Sequence, residues 1–277
     1  TVSNEKIRQI QEAADIKEVV GEYVRLRRAG KNWVGLCPFH ADKKPSFTVS
    51  EHKQLFHCFG CGVSGNVFTF VMKIKGLTFA EAVLGLASRY NIDVSPADLS
   101  ASEKKELDEK RRMLELNELA QRFFRDNLKA GEGAEARAYL KKRGIPERIT
   151  EEFGLGFAPP KWTALLEYLE RKGADVGLAR KVGLVKEGVP SGRLRDHFVS
   201  RITFPIRDTR GKIIGFGGRI IGDGEPKYLN SPESPVFNKS STLYGLYEAR
   251  ADISARDQAI VVEGYFDLLA VVSKGIR

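Results

Sequence analysis

Near the amino terminus the apolar residues follow the spacing of short helices and then of strands. Ser3 can cap a first helix and Asp15 a second, each with apolar residues along one face. Segments 33–36, 46–50 and 54–58 have an extended pattern, and the last two predict a hairpin. The pattern therefore predicts two helices followed by a small sheet.

Helical spacing returns over residues 66–75, where Gly76 is a natural stop. The helix predicted over 66–75 is apolar enough to be buried. Thr78 and Glu81 have the sequence of a capping box and predict another helix that runs through Tyr90.

A break in periodicity separates this part from the rest of the chain. Residues 94–102 are rich in Pro, Ala, Ser and Asp, which predicts a domain boundary. Residues 103–129 are strongly helical, with charged residues first and apolar ones later, so only the second half need pack against a core. Shorter helical patterns follow at 134–143, 146–153, 163–172 and 176–182.

In the last third of the chain, apolar residues recur at every second position. Alternation over 202–206 and 213–216, on either side of the turn 208–211, predicts a β-hairpin. The final apolar run, 258–262, predicts a strand buried on both faces that passes through Glu263 into a helix. This order is typical of the first strand and helix of a parallel α/β unit.

Composition limits the class of protein. A chain of 277 residues is long enough for two or three compact units. No apolar run approaches the roughly 20 residues that span a bilayer, and the first residues lack the pattern of a secretory signal. We therefore expect a cytoplasmic protein without a membrane segment. The net charge of +9 favours an anionic partner.

All three cysteines of the chain lie in one motif. Cys37 and His40 form one pair, Cys58 and Cys61 form another, and seventeen residues separate His40 from Cys58. Two such pairs on tight turns can close a tetrahedron around one zinc ion. The motif therefore predicts a zinc ribbon with a Cys-His-Cys-Cys site.

Two other histidines are alternatives to His40 as the nitrogen ligand. His57 adjoins Cys58 and His52 lies at the predicted hairpin turn, but neither stands in a two-residue pair with a cysteine. We therefore favour His40. Four protein ligands leave no position for a water molecule, so the predicted zinc is structural and not hydrolytic.

Basic and aromatic residues surround this motif. Such a mixture can bind single-stranded nucleic acid, because rings stack on bases while Arg and Lys contact phosphates. Phenylalanine is more often buried, and we expect this of Phe39, Phe47, Phe56 and Phe59. The remaining candidates for contact with single-stranded DNA are Arg27, Arg28, Lys31, Trp33, Lys43 and Lys44.

A second basic set lies in and around the later hairpin. Glycines directly before Arg219 would let the backbone approach a phosphate, and clustered guanidinium and ammonium groups are what a triphosphate needs. Charges on a hairpin can equally form its solvated face, and both interpretations stay open. The residues of this set are Arg201, Arg207, Arg219, Lys227 and Lys239.

Two carboxylates stand at the start of the final predicted helix. Glu263 ends the predicted buried strand, where ligands of open α/β sheets usually bind, and Asp267 follows one helical turn later. The pair could organise Mg²⁺ for phosphoryl transfer. It could also be a pair of solvated carboxylates at a strand end.

Together these residues resemble bacterial DnaG-type DNA primases. The cysteine and histidine quartet and residues 62–70 match the primase zinc-binding domain. Arg143 and the runs 201–219 and 227–232 are similar to the amino-terminal subdomain of the primase RNA polymerase core. Residues 262–267 resemble the first motif of the Toprim fold. The resemblance covers essentially the whole chain.

The resemblance implies a DNA-directed RNA polymerase that makes short RNA primers on single-stranded DNA from ribonucleoside triphosphates, with Mg²⁺ or Mn²⁺. Glu263 would be the acid/base or metal-organising carboxylate, with Asp267 as its neighbour. A carboxy-terminal domain would dock on the replicative helicase, and the protein would act at the replisome in the nucleoid. Contacts to nucleotide phosphates or template would come from Arg143, Arg201, Arg219, Lys227, Asn230 and Lys239.

The expected fold is a multidomain α+β protein. A zinc-ribbon domain with flanking helices would span 1–98, a helical tether 99–113, a mixed α+β subdomain 114–256 and the first βα unit of a Toprim fold 257–277. The family's later Toprim acids and its helicase-docking domain have no counterpart in this sequence. We therefore expect zinc binding and weak binding of single-stranded DNA, with primer synthesis impaired or absent.

Two other functions stay open. A non-catalytic zinc-ribbon module would only bind nucleic acid, and it would need neither Glu263 nor the basic strand set. A Toprim nuclease or topoisomerase would need a nucleophile such as a tyrosine in a further domain, and no residue here is positioned as one.

Overall fold

The computed structural model describes residues 2–188 and 192–276, which form two compact units that divide between Glu109 and Lys110. The helices of the first unit are α1 (Asn4–Ala13), α2 (Ile16–Gly21), α3 (Val67–Lys75) and α4 (Phe79–Arg89). Its strands are β1 (Arg27–Ala29), β2 (Asn32–Gly35), β3 (Phe47–Ser50), β4 (Leu55–Cys58) and β5 (Ser64–Gly65). In the described part of the chain, no helix has both the length and the apolar character needed to cross a bilayer.

Side-chain hydrogen bonds start the helices of the first unit where the sequence predicts. Ser3 caps α1, Asp15 caps α2, and Thr78 and Glu81 form a capping box at α4. Gly76 ends α3 with a left-handed φ of +62°. These predictions are confirmed, although α2 stops after six residues.

The first unit is built on a five-stranded antiparallel sheet whose strands lie in chain order. Strands β3 and β4 form the predicted hairpin, with Phe47 opposite Cys58. Phe47 and Phe56 are buried, their ring centroids are 5.2 Å apart, and they pack with Phe70 of α3. Burying one such side chain contributes about 2 kcal/mol, so the helices and the aromatic face of the sheet stabilise each other.

The second unit starts within the long helix α5 (Ala101–Lys129). Its other helices are α6 (Ala134–Lys142), α7 (Glu147–Glu152), α8 (Ala164–Arg171), α9 (Val176–Lys181), α10 (Leu246–Arg256) and α11 (Tyr265–Ser273). Its strands are β6 (Gly156–Ala158), β7 (Val185–Glu187), β8 (Leu194–Asp196), β9 (Arg201–Arg207), β10 (Ile213–Ile220) and β11 (Tyr228–Asn230).

Strands β9 and β10 form the second predicted hairpin, at the centre of an antiparallel sheet of order β11-β10-β9-β6. The buried residues of α5 all come from Lys110 onwards, as the charged start of this helix predicts. Asn117 and Gln121 of α5 donate to the carbonyl oxygens of Ile213 and Gly154. These buried side-chain hydrogen bonds fix the position of the helix in the second unit.

Residues 258–262 do not form the strand that the sequence predicts. Ile260 and Val261 are 66% and 79% exposed, and in the described part of the chain no strand pairs with them. A buried parallel strand takes its hydrogen bonds from neighbours, so without them the apolar segment stays irregular. The helix predicted after Glu263 is present as α11.

Candidate functional site

The two predicted ligand pairs converge in the first unit. The ligand atoms of Cys37, His40, Cys58 and Cys61 all lie within 4.8 Å of one another. Sγ of Cys37 lies 3.9 Å from Sγ of Cys61, and Sγ of Cys58 lies 3.8 Å from Nδ1 of His40. A zinc–sulfur bond of about 2.3 Å places two sulfurs of a tetrahedral site about 3.8 Å apart. The four side chains therefore fit a tetrahedral zinc ion.

Main-chain groups shape the turns that carry the sulfurs. The N–H of Phe39 points to Sγ of Cys37 at 3.4 Å, and the N–H of Cys61 points to Sγ of Cys58 at 3.5 Å. A Cβ at Gly60 would lie 2.6 Å from Nε2 of His40. Only glycine therefore fits beside the imidazole ring.

The thiols of the quartet have shifted pKa values. Burial raises the pKa of Cys37 to about 12. Burial acts the same way on Cys58, but the Ser46 hydroxyl and the backbone N–H groups of Cys61 and Gly60 outweigh it and lower the pKa of Cys58 to about 6. Zinc binding releases thiol protons, so occupancy of the site depends on pH.

The alternative histidines lie outside the quartet. His57 is exposed on β4, and His52 is exposed in the turn before it. Among the described residues, no other group of three or more Cys, His, Asp and Glu side chains brings its ligand atoms together in this way. His40 is thus the histidine that the fold places with the cysteines.

One face of the five-stranded sheet carries a row of side chains from every strand. The register aligns Arg27, Val34, Thr48, His57 and Ser64 across the sheet. Side chains alternate between the faces of a strand, so this row lies opposite the face that packs on the helices. We call it the open face.

Phe59 lies beside the open face. Its side chain is 76% exposed, and its ring centroid is 4.6 Å from that of His57. The expectation that all four phenylalanines are buried is wrong for Phe59, because it lies in the tight turn of the second cysteine pair, away from the core. The other three are buried or packed against the core.

The six candidate DNA contacts do not share one surface. Arg27 lies on the open face, whereas Arg28 and Trp33 belong to the adjacent row on the opposite face. The other three candidates are lysines in exposed loops: Lys31, Lys43 and Lys44.

Trp33 is half-buried and already has partners. Its Nε1 donates to Glu51 at 2.9 Å, and the ammonium of Lys17 lies 4.8 Å from the ring centroid. Stacking of a base on this ring would have to displace Lys17.

In the second unit, Arg143 and Arg219 meet at the hydroxyl of Tyr139. Arg143 Nη2 lies 2.8 Å and Arg219 Nε 3.2 Å from that oxygen. Burial would raise the pKa of Tyr139, but the two guanidinium groups outweigh it and lower the pKa. Nη1 of Arg219 is buried without a hydrogen-bond partner among the described residues.

A cavity of about 370 Å³ brings Glu263 together with Lys239, the one residue of the basic set among its described lining residues. Asn230, Lys239, Glu263 and Tyr265 are among its lining residues. This volume is within the usual range for small-molecule pockets. Asp267 is exposed at the start of α11 and is not among the described residues that line the cavity.

Arg201 points into the protein and not toward the cavity. It is buried, and its Nη2 donates to the carbonyl oxygen of Pro226 at 2.8 Å. Burial, and then the charge of Arg219, lowers the pKa of Arg201. Its guanidinium fixes the main chain before the exposed Lys227.

Sequence reasoning missed three residues that organise this region. Tyr139 stands one helical turn before Arg143, a spacing that could have linked them. Tyr265 follows Glu263 within the predicted motif. His197 is half-buried, with Nε2 3.2 Å from the carbonyl oxygen of Asn230, and no local pattern connects residues so far apart.

Two family models match the chain. Residues 2–102 match the CHC2 zinc finger, and residues 123–250 match the amino-terminal domain of the DNA primase catalytic core. The CHC2 match and the converging quartet together support zinc as the metal.

Curated relatives of this chain are DNA primases. The DNA primase of Halalkalibacterium halodurans is 46% identical over 276 residues, and that of Geobacillus stearothermophilus is 42% identical over 278 residues. Each alignment covers 99% of this chain and 46% of the relative. The chain therefore spans less than half the length of these proteins.

Solved structures agree with the fold. The zinc-binding and RNA polymerase domains of the Aquifex aeolicus primase have a TM-score of 0.56 at 39% identity, over 98% of this chain and 64% of that one. A DnaG primase catalytic domain bound to single-stranded DNA has a TM-score of 0.57 at 39% identity, over 61% and 55%. These matches confirm the predicted α+β architecture with a zinc ribbon. The chain belongs to the bacterial DnaG-type DNA primase family.

Proposed function

We propose that this chain provides the template-binding zinc unit and part of the catalytic core of a DNA primase, which makes short RNA primers on single-stranded DNA. The observation that carries the proposal is the cavity shared by Glu263, Asn230 and Lys239. A module that only binds nucleic acid has no need of a carboxylate that shares a cavity with a lysine. The proposed domains are 1–98 for zinc binding, 99–113 for the tether, 114–256 for the amino-terminal core subdomain and 257–277 for the start of a Toprim subdomain.

Cys37, His40, Cys58 and Cys61 are the proposed zinc ligands. Four protein ligands close the coordination shell, so the role of the metal is to hold the two turns and the sheet rigid. The residues proposed for catalysis then lie in the second unit.

The open face is the proposed site for single-stranded DNA in the first unit. Arg27 provides a cation for phosphate, and the exposed rings of His57 and Phe59 provide stacking surfaces. Lys31, Lys43 and Lys44 extend the positive charge in nearby loops. A DnaG primase catalytic domain described as bound to single-stranded DNA supports this class of partner for the chain as a whole.

Nucleotide and template phosphates are the proposed partners of the basic residues in the second unit. Arg143 and Arg219 converge on Tyr139, and Asn230 and Lys239 line the cavity, whereas Arg201 acts indirectly through the main chain at Pro226. In primer synthesis a 3′ hydroxyl attacks the α-phosphate of a ribonucleoside triphosphate and pyrophosphate leaves. Lys227 is exposed next to this region and is the remaining proposed contact.

Mg²⁺ or Mn²⁺ is the proposed catalytic metal, which would neutralise phosphate charge when bound. Glu263 and Asp267 carry the oxygen ligands that such ions prefer. Both side chains are exposed and near the start of α11, so they are accessible to a hydrated ion. Further oxygen ligands would complete the coordination of the ion.

The cellular partners follow from the family alone. We place the whole protein in the bacterial cytoplasm, at the replisome in the nucleoid, with a further domain that docks on the replicative helicase.

The proposal is tested on this chain by metal analysis and by single-stranded DNA binding. We expect about one equivalent of zinc and an affinity for an oligonucleotide that falls steeply with salt, because phosphate contacts release counterions. Phe59→Ala should weaken binding about tenfold through lost stacking, and Ile276→Ala, an exposed apolar change in the other unit, should not. A flat salt profile would contradict the proposed DNA surface.

A further inference from the structure

A second layer of polar contacts lies behind the proposed zinc ligands. Its centre is Asp42, in the loop between His40 and β3. Oδ2 of Asp42 accepts the N–H of Cys37 at 3.1 Å and the hydroxyl of Ser46 at 2.7 Å. The main-chain N–H groups of Lys44 and Ser46 also donate to this carboxylate, each at 3.3 Å. The carboxylate therefore closes the loop and fixes the main chain of one ligand.

Ser46 connects this loop to the second cysteine pair. Its Oγ lies 3.3 Å from Sγ of Cys58, and its carbonyl oxygen accepts the N–H of Phe59 at 2.9 Å. A Cβ at Gly60 would lie 3.0 Å from the same Oγ, so the hydroxyl packs closely against the turn. Contacts thus run without a break from Asp42 through Ser46 to Cys58.

The hydroxyl of Ser46 has two possible hydrogen-bond acceptors. A serine hydroxyl has one proton to donate, and here the Asp42 carboxylate and the Cys58 sulfur are both within reach. A zinc-bound cysteine carries no proton, so its sulfur can only accept. If the hydroxyl turns to the sulfur, Asp42 keeps three main-chain N–H donors. The hydrogen bond to sulfur therefore leaves the Asp42 carboxylate with hydrogen-bond donors of its own.

We propose that Asp42 and Ser46 are positioning residues of the zinc site. Asp42 holds the first ligand pair in its turn, and Ser46 holds the second pair against it and donates a hydrogen bond to the sulfur of Cys58. This inference rests on the zinc site proposed above. Loss of such an outer contact typically costs about 10- to 100-fold in metal affinity.

Zinc release from the full chain tests the inference. The chain is loaded with zinc, and transfer of the metal to a chromophoric chelator is followed in time. Ser46→Ala and Asp42→Asn should each release zinc about tenfold faster than the wild type. Ser88→Ala and Asp93→Asn make the same changes at exposed positions outside this layer and should release zinc at the wild-type rate. Wild-type release from both Ser46→Ala and Asp42→Asn would overturn the proposal.

Cobalt(II) substitution separates a direct contact from general loosening of the loop. A hydrogen bond stabilises the sulfur electrons, so its loss shifts the sulfur-to-cobalt charge-transfer band to longer wavelength. Ser46→Ala should show this shift, and Ser88→Ala should not. An unshifted band in Ser46→Ala would overturn the hydrogen bond to Cys58. A wild-type chain that binds neither zinc nor cobalt would instead contradict the proposed metal site itself.

Discussion

Tyr265 donates its hydroxyl hydrogen to Oδ1 of Asn230 across 2.9 Å, and this bond ties the segment that carries Glu263 to strand β11. The Tyr265 ring stacks on Phe204 with centroids 4.6 Å apart, and a Cβ at Gly217 would lie 2.4 Å from it. An amide whose oxygen accepts this bond keeps its Nδ2 hydrogens free to donate to a ligand in the cavity. One tyrosine therefore orients a proposed binding residue and anchors the proposed catalytic one.

Replacing Tyr265 with phenylalanine should separate these two roles. The ring stack is kept, but the Asn230 amide loses the bond that fixes its orientation, which is worth about 1 kcal/mol. In the full-length protein we expect the KM for ribonucleotides to rise about fivefold with little change in thermal stability. Tyr247→Phe on α10 is the matched control and should leave KM unchanged. An unaltered KM in Tyr265→Phe would show that the bond has no role in binding.

Gly60 gives a steric test of the zinc quartet. An added methyl group would lie 2.6 Å from Nε2 of His40, so the ring must move and the tetrahedron must open. Gly60→Ala should therefore lower zinc affinity by at least about tenfold, measured by chelator competition. Gly85→Ala in α4 has open space around it and should bind zinc normally while stabilising the helix by up to about 1 kcal/mol. Equal zinc affinity in both variants would argue against His40 as a ligand.

Burial lowers the pKa of His197 from 6.5 to about 4, and the charges of Lys186, Arg201 and Lys239 act in the same direction. The unfolded chain takes up a proton below about pH 6.5, whereas the folded chain resists it until about pH 4. The free energy of unfolding should therefore fall, by up to about 3 kcal/mol, as pH drops through this window. Burial raises the pKa of the neighbouring Asp196 to about 6, which opposes this loss over the same range.

The measurement is urea unfolding at about pH 7 and about pH 5. Trp33→Phe removes the tryptophan of the first unit, so that fluorescence of Trp162 reports the second. Adding His197→Gln should abolish the loss of stability at the lower pH, so that the opposite effect of Asp196 becomes visible. His52→Gln, at an exposed position, should behave like the background protein. An unchanged pH dependence in His197→Gln would rule out His197 as the titrating group.

Local patterns predicted most of the first unit. The cysteine spacing located the metal centre because each ligand pair lies within one turn, and the cap at Ser3 and the capping box at Thr78 are likewise set by residues a few positions apart. Phe59 was predicted wrongly, because its exposure depends on which side of the turn faces the core. Sequence alone does not give that orientation.

The second unit was harder to predict where contacts join distant parts of the chain. The hairpin of β9 and β10 follows from alternation, but the bond from Tyr265 to Asn230 and the contact of His197 with Asn230 depend on tertiary packing. The apolar run 258–262 predicts a buried strand. Such a strand forms only beside neighbouring strands, and the described residues provide none for it. A hydrophobic pattern predicts burial but not the partner that achieves it.

Glu263→Gln in the full-length protein decides whether Glu263 belongs to a catalytic site of the primase core. The side chain keeps its size but loses its charge, so primer synthesis should fall by more than about 100-fold, while affinity for single-stranded DNA stays within about twofold. Glu170→Gln, an exposed change on α8, is the control and should retain full synthesis. Primer synthesis by Glu263→Gln at the wild-type rate would contradict the account.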